Sequence, residues 1–137
     1  MTDTTYMKPL PESTPDTAPY WQAMQEGKLK LQACGDCGKV RHYPRPVCPH
    51  CYSMNATWVA AKGTGRVHSW TIAHHPFHPG FKGELPYVLV TVDLDEGVRM
   101  QAQMRGKGTD ALTIGLPVKV AFEIATKDLT LPVFVAV

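Results

Sequence analysis

The sequence predicts a mainly β protein in which a short N-terminal helix precedes a cysteine-bearing ribbon and a five-stranded barrel of the OB type. Three observations support this fold class. Two Cys-x-x-Cys pairs lie ten residues apart, the hydrophobic period stays at two from about residue 61 onward, and 12 prolines with 11 glycines favour short segments joined by turns. We therefore expect an extended tail at 1–15, a helix plus ribbon at 16–60 and an OB-fold domain at 61–137.

The first segments of the chain are a proline-bearing tail and a short helix. Prolines among polar residues indicate that 1–15 is extended. Asp16 or Thr17 can cap the helix, Pro19 is tolerated in its first turn, and Gly27 can end it. One face of this helix carries Tyr20, Trp21 and Met24. Two bulky aromatic side chains on so short a helix require burial, either against the same chain or against another subunit.

A strand leads from this helix into the ribbon. The residues from 28 to 33 alternate, with apolar Leu29, Leu31 and Ala33 on one face and Lys28, Lys30 and Gln32 on the other. Strict alternation of this kind is typical of a half-buried strand, which here runs directly into the first cysteine. We expect Trp58 to cover the apolar side of the ribbon.

The four cysteines form two knuckles, and they predict a metal site made of Cys34, Cys37, Cys48 and Cys51. Each knuckle turns tightly, so that backbone amides point at thiolate sulfur and stabilise its charge. Four soft ligands at tetrahedral geometry suit zinc, and they leave no open position for a reactive water molecule. We therefore expect one structural zinc ion in a rubredoxin-like zinc ribbon. Iron is the alternative metal, because rubredoxins use the same knuckles for electron transfer.

Five segments with the period of a β-strand follow the ribbon. Their expected ranges are 66–74, 87–94, 98–105, 118–124 and 131–137. In the third strand Val98, Met100, Ala102 and Met104 should face inward, while Arg99, Gln101, Gln103 and Arg105 should face water. In the fourth, we expect Val118, Val120, Phe122 and Ile124 to line the strand. Five short, mostly antiparallel strands close most simply into an OB-type barrel. Residues 106–115 leave little room for a helix between the third and fourth strands.

The loop between the first two barrel strands is rich in histidine. His74, His75 and His78 could form a second metal site or a proton shuttle at the barrel mouth. Prolines and a glycine make this loop irregular, however, and incidental histidines in an exposed loop are the simpler interpretation. The sequence contains no nucleophile elbow, no His-Glu-x-x-His motif, no phosphate-binding glycine loop and no spare cysteine. We therefore expect no catalysis by this chain on its own.

Composition and charge restrict the classes of partner. The chain is 44% hydrophobic and 19% charged, with a formal net charge of +2 and scattered basic residues. Proteins that bind nucleic-acid backbones usually carry a concentrated basic face. Here the only local cluster is Lys39, Arg41 and Arg45, and we expect these three residues to be exposed on a solvated surface of the ribbon. The sequence has no apolar stretch suited to a signal peptide or a membrane span, so we expect a cytoplasmic chain. In that compartment paired cysteines are more often metal ligands than disulfides.

An ordered set of short motifs carries a resemblance to a known family. The motifs are Gly27-Lys28-Leu29, Tyr43-Pro44-Arg45 between the knuckles, Trp58, Gly63-x-Gly65-x-Val67, Pro86-Tyr87-Val88, Leu94-Asp95-Glu96-Gly97, Gly115-x-Pro117-Val118 and Leu131-Pro132-x-Phe134. From about residue 16 to its end, the chain resembles the zinc-ribbon/OB-fold proteins associated with acyl-CoA metabolism, once grouped as a domain of unknown function.

The resemblance implies a partner enzyme. Members of that family act with thiolase-superfamily proteins, namely acyl-CoA thiolases, acyltransferases and lipid-transfer-protein-like aldolases that shorten steroid side chains. The partner supplies the catalytic residues. We therefore expect a noncatalytic subunit in a complex, a heterotetramer with acyl-CoA near the interface. Some members are fused to a hydratase domain, and we expect none in a chain of 137 residues.

Two sets of residues are candidates for contacts in such a complex. We expect four exposed aromatic side chains to be anchors for the interface: Tyr20, Trp21, Phe77 and Phe81. Contacts to the phosphates of coenzyme A would come from Lys39, Arg41 and Arg45. Two other functions remain open: single-stranded nucleic-acid binding by the barrel face, and electron transfer by a rubredoxin-like iron centre.

Overall fold

The computed structural model describes residues 6–137, which contain one α-helix and eight β-strands. Helix α1 spans Ala18–Gln25, with Thr17 at its N-cap and Pro19 in its first turn. It ends before Gly27, which has a φ of 71° and so reverses the chain where a residue with a Cβ would be strained. None of the helices within 6–137 has the length and hydropathy that crossing a membrane requires.

The ribbon contains a small antiparallel sheet. Strands β1 (Lys30–Cys34), β2 (Val40–Arg41) and β3 (Ala56–Ala60) lie in the order β2-β1-β3. Trp58 in β3 is opposite Gln32 in β1 and packs, half-buried, against the hydrophobic core. Because β1 ends at the first cysteine, the sheet connects the two knuckles to the rest of the fold.

The remaining five strands form a closed barrel, as predicted. They are β4 (Thr64–Ala73), β5 (Tyr87–Leu94), β6 (Arg99–Met104), β7 (Pro117–Thr126) and β8 (Leu129–Ala136), in the order β4-β5-β6-β8-β7 with β7 pairing back to β4. Every pair is antiparallel except β6 and β8, whose parallel ladder has only two residue pairs. The connection from β6 to β7 holds a single 3₁₀ turn, Lys107–Asp110, so the expectation of a very short helix there is confirmed.

The helix, the ribbon and the barrel share one hydrophobic core. Met24 from α1 and Leu31 from β1 belong to the same cluster as Val90 and Phe134 from the barrel, and all four are 0% exposed. Full burial of a side chain of this size stabilises a fold by about 1.5–3 kcal/mol relative to exposure. The ribbon is therefore coupled to the barrel through shared packing as well as through the chain.

Two side chains depart from the burial that the alternation predicts. Gln32, on the polar face of the predicted strand, is only 2% exposed. Ile124, predicted to line the fourth barrel strand, is 79% exposed. Ile124 keeps the register that Val120 and Phe122 have with β8, but it lies two residues before the end of β7, next to a register shift between Ile124 and Thr126.

Part of the predicted tail packs on the barrel, while residues 1–5 of that tail lie outside the described residues. The Nζ atom of Lys8 is 2.7 Å from Oε2 of Glu84, in the 3₁₀ turn Pro79–Glu84. The same atom lies 5.3 Å from the ring centre of Phe81. A Cβ atom on Gly80 would collide with the carbonyl oxygen of Met7, so only glycine allows this approach.

Candidate functional site

The two knuckles bring four sulfur atoms together. The Sγ atoms of Cys34, Cys37, Cys48 and Cys51 all lie within 4.8 Å of one another. The Cys34–Cys51 distance is 3.5 Å and the Cys37–Cys48 distance is 3.8 Å. Four sulfurs bound at about 2.3 Å around a tetrahedral zinc ion would be about 3.8 Å apart, so this spacing fits such an ion. The four cysteines predicted from the sequence could therefore hold one metal ion.

The first knuckle is closed by backbone hydrogen bonds. The N–H of Cys34 donates to the carbonyl of Lys39, and the N–H of Gly38 donates to the carbonyl of Cys34, both at 3.0 Å. Gly38 adopts a φ of 76°. The N–H groups of Asp36 and Cys37 both point at the Cys34 sulfur, at 3.4 Å. Such donors stabilise the negative charge of a thiolate.

The second knuckle repeats this pattern with different side chains. The N–H of Cys48 donates to the carbonyl of Ser53, and the N–H of Tyr52 donates to the carbonyl of Cys48, both at 2.9 Å. The N–H of His50 points at the Cys48 sulfur at 3.4 Å. Tyr52 therefore occupies the position that Gly38 has in the first knuckle, and its φ is 65°.

The electrostatics of the cluster favour a bound cation. The N–H of Cys37, followed by that of Asp36, lowers the pKa of Cys34 to about 6. The N–H of Ser53 acts in the same direction on Cys51, but the other three sulfurs, first that of Cys34, and burial together outweigh it and raise the pKa of Cys51 to about 12. Four thiolates at this spacing therefore do not coexist at neutral pH unless a cation binds them.

The position of the cluster indicates a structural centre. Cys34 and Cys48 are buried, whereas Cys37 and Cys51 are exposed, so a bound ion would lie at the edge of the ribbon. Four sulfur ligands complete a tetrahedral coordination sphere and leave no position for a substrate or a reactive water molecule. Such an ion would hold the two knuckles together by binding two sulfur atoms from each.

A buried polar pair lies behind the first knuckle. The Nε of Arg41 donates to Oε1 of Gln32 at 2.6 Å, and its Nη2 donates to the carbonyl of Arg45 at 3.0 Å. Arg41 is 7% exposed, so the expectation of three exposed basic residues is wrong for Arg41. Two of its nitrogens donate to oxygen acceptors inside the ribbon, whereas its Nη1 is buried and has no hydrogen-bond partner among the described residues. Lys39 and Arg45 are exposed, and their contact with coenzyme A phosphates stays a prediction.

The four aromatic residues predicted as interface anchors differ in exposure. Tyr20 is 6% exposed, and its ring lies 5.1 Å from that of Trp21 and 5.5 Å from that of His42. The expectation that Tyr20 is exposed is therefore wrong, because the short helix packs this side chain against its own chain. Trp21 and Phe81 are half-buried, and Phe77 is 81% exposed. Their contact with a partner stays a prediction.

A groove of about 290 Å³ lies where β6 and β8 diverge. Its apolar lining comes from the helix, the ribbon, the 3₁₀ turn and both strands, and its charged lining is Lys8, Arg105 and Glu123. The apolar residues include Trp21, Tyr43, Phe81, Ala102 and Pro132. The groove thus gathers Tyr20, Trp21 and Phe81 on one side of the molecule, whereas Phe77 is not part of it.

His42 is a half-buried residue with two buried ring nitrogens, and no signal in the sequence indicates it. Its ring lies 4.1 Å from that of Tyr43, and neither of its nitrogens has a hydrogen-bond partner among the described residues. Burial lowers the pKa of His42 to about 4, so the ring is neutral at physiological pH. A single histidine between polar and aromatic neighbours carries no pattern that predicts burial.

The histidines of the loop after β4 are not arranged around a common point. Within residues 6–137, the four cysteines are the only group of three or more histidine, cysteine or acidic side chains placed to share a metal ion. The His75 ring packs edge-on against Phe77 at 4.8 Å, and Nδ1 of His78 accepts the N–H of Gly80 at 3.0 Å. These contacts favour the interpretation of incidental histidines.

Family models match both the ribbon and the barrel of the chain. A family model described as the ChsH2 rubredoxin-like zinc ribbon domain matches residues 21–54, and one described as the ChsH2 C-terminal OB-fold domain matches residues 58–123. A solved structure described as "Ltp2-ChsH2(DUF35) aldolase" is 41% identical, with a TM-score of 0.84, and the match covers 93% of this chain and 98% of that chain. A DUF35 family protein from Sulfolobus solfataricus, 16% identical with a TM-score of 0.61, shares the fold.

Curated proteins extend the comparison. The chain is 42% identical over 128 residues to a "Probable enoyl-CoA hydratase alpha subunit" from Thermomonospora curvata. It is 35% identical over 112 residues to the "3-oxo-4,17-pregnadiene-20-carboxyl-CoA hydratase alpha subunit" of Mycobacterium tuberculosis. These matches cover 93% and 82% of this chain but only 40% and 35% of the two relatives.

A shorter relative is matched over most of its length. A "DUF35 domain-containing scaffold protein" from Methanothermobacter thermautotrophicus is 31% identical over 109 residues, which cover 78% of this chain and 81% of that protein. The two family models, the sulfur cluster and the closed barrel agree with this match. The chain therefore belongs to the DUF35 family, with the zinc ribbon and OB-fold domains of the ChsH2 type.

Proposed function

We propose that this chain is a noncatalytic subunit that binds and supports a thiolase-superfamily acyl-CoA enzyme: a thiolase, an acyltransferase or a lipid-transfer-protein-like aldolase that shortens steroid side chains. One observation carries the proposal. The structure described as "Ltp2-ChsH2(DUF35) aldolase" contains a chain that is 41% identical to this one over 98% of its own length. The match covers 93% of this chain, so it includes both the ribbon and the barrel.

The metal centre supports an accessory role. We propose that Cys34, Cys37, Cys48 and Cys51 hold one zinc ion, which fixes the ribbon and takes no part in a reaction. The resulting rigid ribbon, packed on the barrel, is suited to presenting a surface to another protein. No arrangement of nucleophile, base and oxyanion donors has been identified in the described part of the chain, and the partner would supply the catalytic residues.

The groove between β6 and β8 supports the placement of the interface. Trp21 and Phe81 line it together, and Phe77 stands exposed on the loop that precedes the 3₁₀ turn. Aromatic side chains that are only half-buried in the free subunit are typical anchors for a protein partner. We propose that the partner covers this side of the molecule and that acyl-CoA lies near the contact, within reach of Lys39 and Arg45.

The contacts of β6 do not favour binding to nucleic acid. Arg99, its first residue, and Arg105, the residue after its end, are both engaged with carboxylates of the same chain. The Nε of Arg99 donates to Asp93 at 2.8 Å, and Arg105 makes two 3.0 Å bonds to Glu123. A nucleic-acid site would need free basic groups with interleaved aromatic rings. A rubredoxin-like electron carrier remains the alternative for the metal centre, and metal analysis distinguishes the two.

The proposal is tested by purifying the tagged chain from its native cells and identifying the proteins that accompany it. We expect a thiolase-fold protein at near-equal abundance, two copies of each subunit in the intact complex, and one zinc ion per copy of this chain. Trp21→Ala and Phe81→Ala should each weaken the complex, whereas Ile114→Ser, at a 79% exposed position outside the groove, should not. A chain that emerges alone, or with nucleic acid, would contradict the proposal.

A further inference from the structure

The segment 6–13, called the strap below, lies against the groove between β6 and β8. Tyr6 and Lys8 of the strap line that groove together with Trp21 and Phe81. The same two strap residues and Trp21 also line an adjoining cavity of about 340 Å³, whose lining includes the turn from β7 to β8. The strap therefore occupies part of the surface on which Trp21 and Phe81 are the proposed anchors for a partner.

Lys8 holds the strap to the barrel. Its Nζ atom is 2.7 Å from Oε2 of Glu84, and both side chains are partly buried. The same atom lies 5.3 Å from the ring centre of Phe81, a distance typical of a cation–π contact. The backbone of Met7 passes so close to Gly80 that a Cβ there would collide with the Met7 carbonyl oxygen. Lys8 thus lies over the ring of Phe81, and the 3₁₀ turn has a glycine where the strap crosses it.

Little else fastens the strap. Between residue 6 and residue 137, no backbone hydrogen bond joins any residue of the strap to another residue. Met7 and Leu10 are 69% and 62% exposed, so the strap buries little of its own apolar surface. Segments with few apolar contacts and no backbone hydrogen bonds open at low free-energy cost. The strap can therefore leave the groove while the barrel and the ribbon stay folded.

We propose that the strap is an autoinhibitory cover, which must leave the groove before the partner enzyme docks on Trp21 and Phe81. This inference rests on the proposed function and adds regulation of the same surface. In the closed form, Lys8 occupies the face of the Phe81 ring that the partner would contact. Only chains with an open strap then bind, so the observed affinity is lower than that of the open form by the fraction of open chains.

The test uses Gly80→Ala in the full-length, zinc-loaded chain. The added Cβ displaces the backbone of Met7 and leaves every side chain of the strap and the groove unchanged. Affinity for the partner enzyme, separated from the wild-type complex, should rise about threefold to tenfold, because the contacts of Lys8 no longer oppose docking. Gly83→Ala is the control in the same 3₁₀ turn, since a Cβ there meets no atom within 4 Å. It should keep wild-type affinity.

A second variant releases the strap from its own side. Lys8→Gln removes the charge that both contacts require, and it should raise the partner affinity by a similar factor. Lys107→Gln, at an exposed position on the connection between β6 and β7, is its control. The free chain gives a readout that needs no partner. Gly80→Ala should bind more of the dye anilinonaphthalene sulfonate than Gly83→Ala does, because this dye binds exposed apolar surface.

Unchanged or weaker partner binding by Gly80→Ala and Lys8→Gln would overturn the cover, since the strap would then lie outside the docking surface or belong to it. An equal rise in Gly83→Ala would overturn it as well. Equal dye binding by the two glycine variants would show that the strap does not close the groove. If neither the wild type nor Gly80→Ala binds an acyl-CoA enzyme, the proposed function itself fails, which separates that outcome from failure of the cover alone.

Discussion

The phenolic oxygen of Tyr43 in the ribbon accepts a 3.1 Å hydrogen bond from the backbone N–H of Gln101 in β6. β6 pairs with β8 only at Gln103 and Met104, so this N–H lies beside the open part of the seam between the two strands. A ribbon side chain thus supplies an acceptor where the barrel lacks a strand neighbour. The bond ties together two parts of the chain that are 58 residues apart.

We expect Tyr43→Phe to weaken this tie without changing the fold. Removal of one neutral hydrogen bond typically lowers the free energy of unfolding by about 1 kcal/mol. The backbone N–H of Gln101 should also exchange with solvent faster, which amide hydrogen exchange measures directly. Tyr52→Phe, the same substitution at a 78% exposed ribbon position, is the control. Unchanged exchange at Gln101 in the Tyr43 variant would contradict the assigned bond.

The buried pair of Gln32 and Arg41 gives a second prediction. Gln32→Leu removes the acceptor of the Arg41 Nε and leaves a buried charged group with an unmet donor. A buried polar group left without its partner costs about 1–3 kcal/mol, so we expect a loss of that size in urea unfolding. Gln22→Leu, the same change at an exposed helix position, should alter stability by less than about 0.5 kcal/mol. Equal effects at the two positions would argue against a structural role for Arg41.

The fold was predictable from the sequence because its main signals are local. The period of two locates β5 at Tyr87–Leu94, where the structure has it, and the cysteine spacing locates the sulfur cluster. Apolar residues at alternate positions indicate which face of a strand is buried. Paired cysteines indicate that their sulfur atoms bind the same metal ion.

The features that escaped prediction depend on contacts between distant residues. The burial of Arg41 requires acceptors on Gln32 and Arg45, and no local pattern distinguishes such an arginine from an exposed one. The burial of Tyr20 depends on how α1 packs. Ile124 keeps the predicted alternation but lies near the end of β7, and alternation alone does not show where along a strand the contact with the core ends.

Metal removal gives a third prediction. Metal binding to free zinc-finger peptides is worth on the order of 10 kcal/mol, so a strong chelator should unfold the ribbon. Because Leu31 of β1 belongs to the common core, the loss should spread to the barrel and lower its thermal midpoint as well. Elemental analysis before treatment should find one zinc ion per chain. A metal-free chain whose ribbon is still folded would contradict a structural zinc ion. One iron ion per chain in the purified protein would also contradict it.

His42, with its two buried ring nitrogens, gives a prediction about pH. Its pKa is about 4 in the folded state and about 6.5 in an unfolded chain, so the unfolded state binds the extra proton more readily between these values. Stability should therefore be at its full value above about pH 6.5 and should fall toward pH 4, by at most about 1.4 kcal/mol per pH unit.

The contribution of His42 is measured as a difference. Acid also protonates the cysteine ligands, but it does so in the wild type and in His42→Phe alike. Urea unfolding of both proteins between pH 4 and 8 should show a flatter dependence for His42→Phe. Parallel curves would show that the buried ring does not resist protonation.

The most direct test of the central claim is an activity measurement on the purified complex and its separated subunits. Cleavage of acyl-CoA is measured with three preparations of the partner enzyme. The first contains the partner alone, the second the partner with the zinc-loaded wild-type chain, and the third the partner with the chelator-treated chain. A noncatalytic supporting subunit predicts no turnover by this chain alone, weak or no turnover by the partner alone, and restored turnover only with the zinc-loaded chain. Full activity of the partner without this chain, or turnover by this chain alone, would contradict the account.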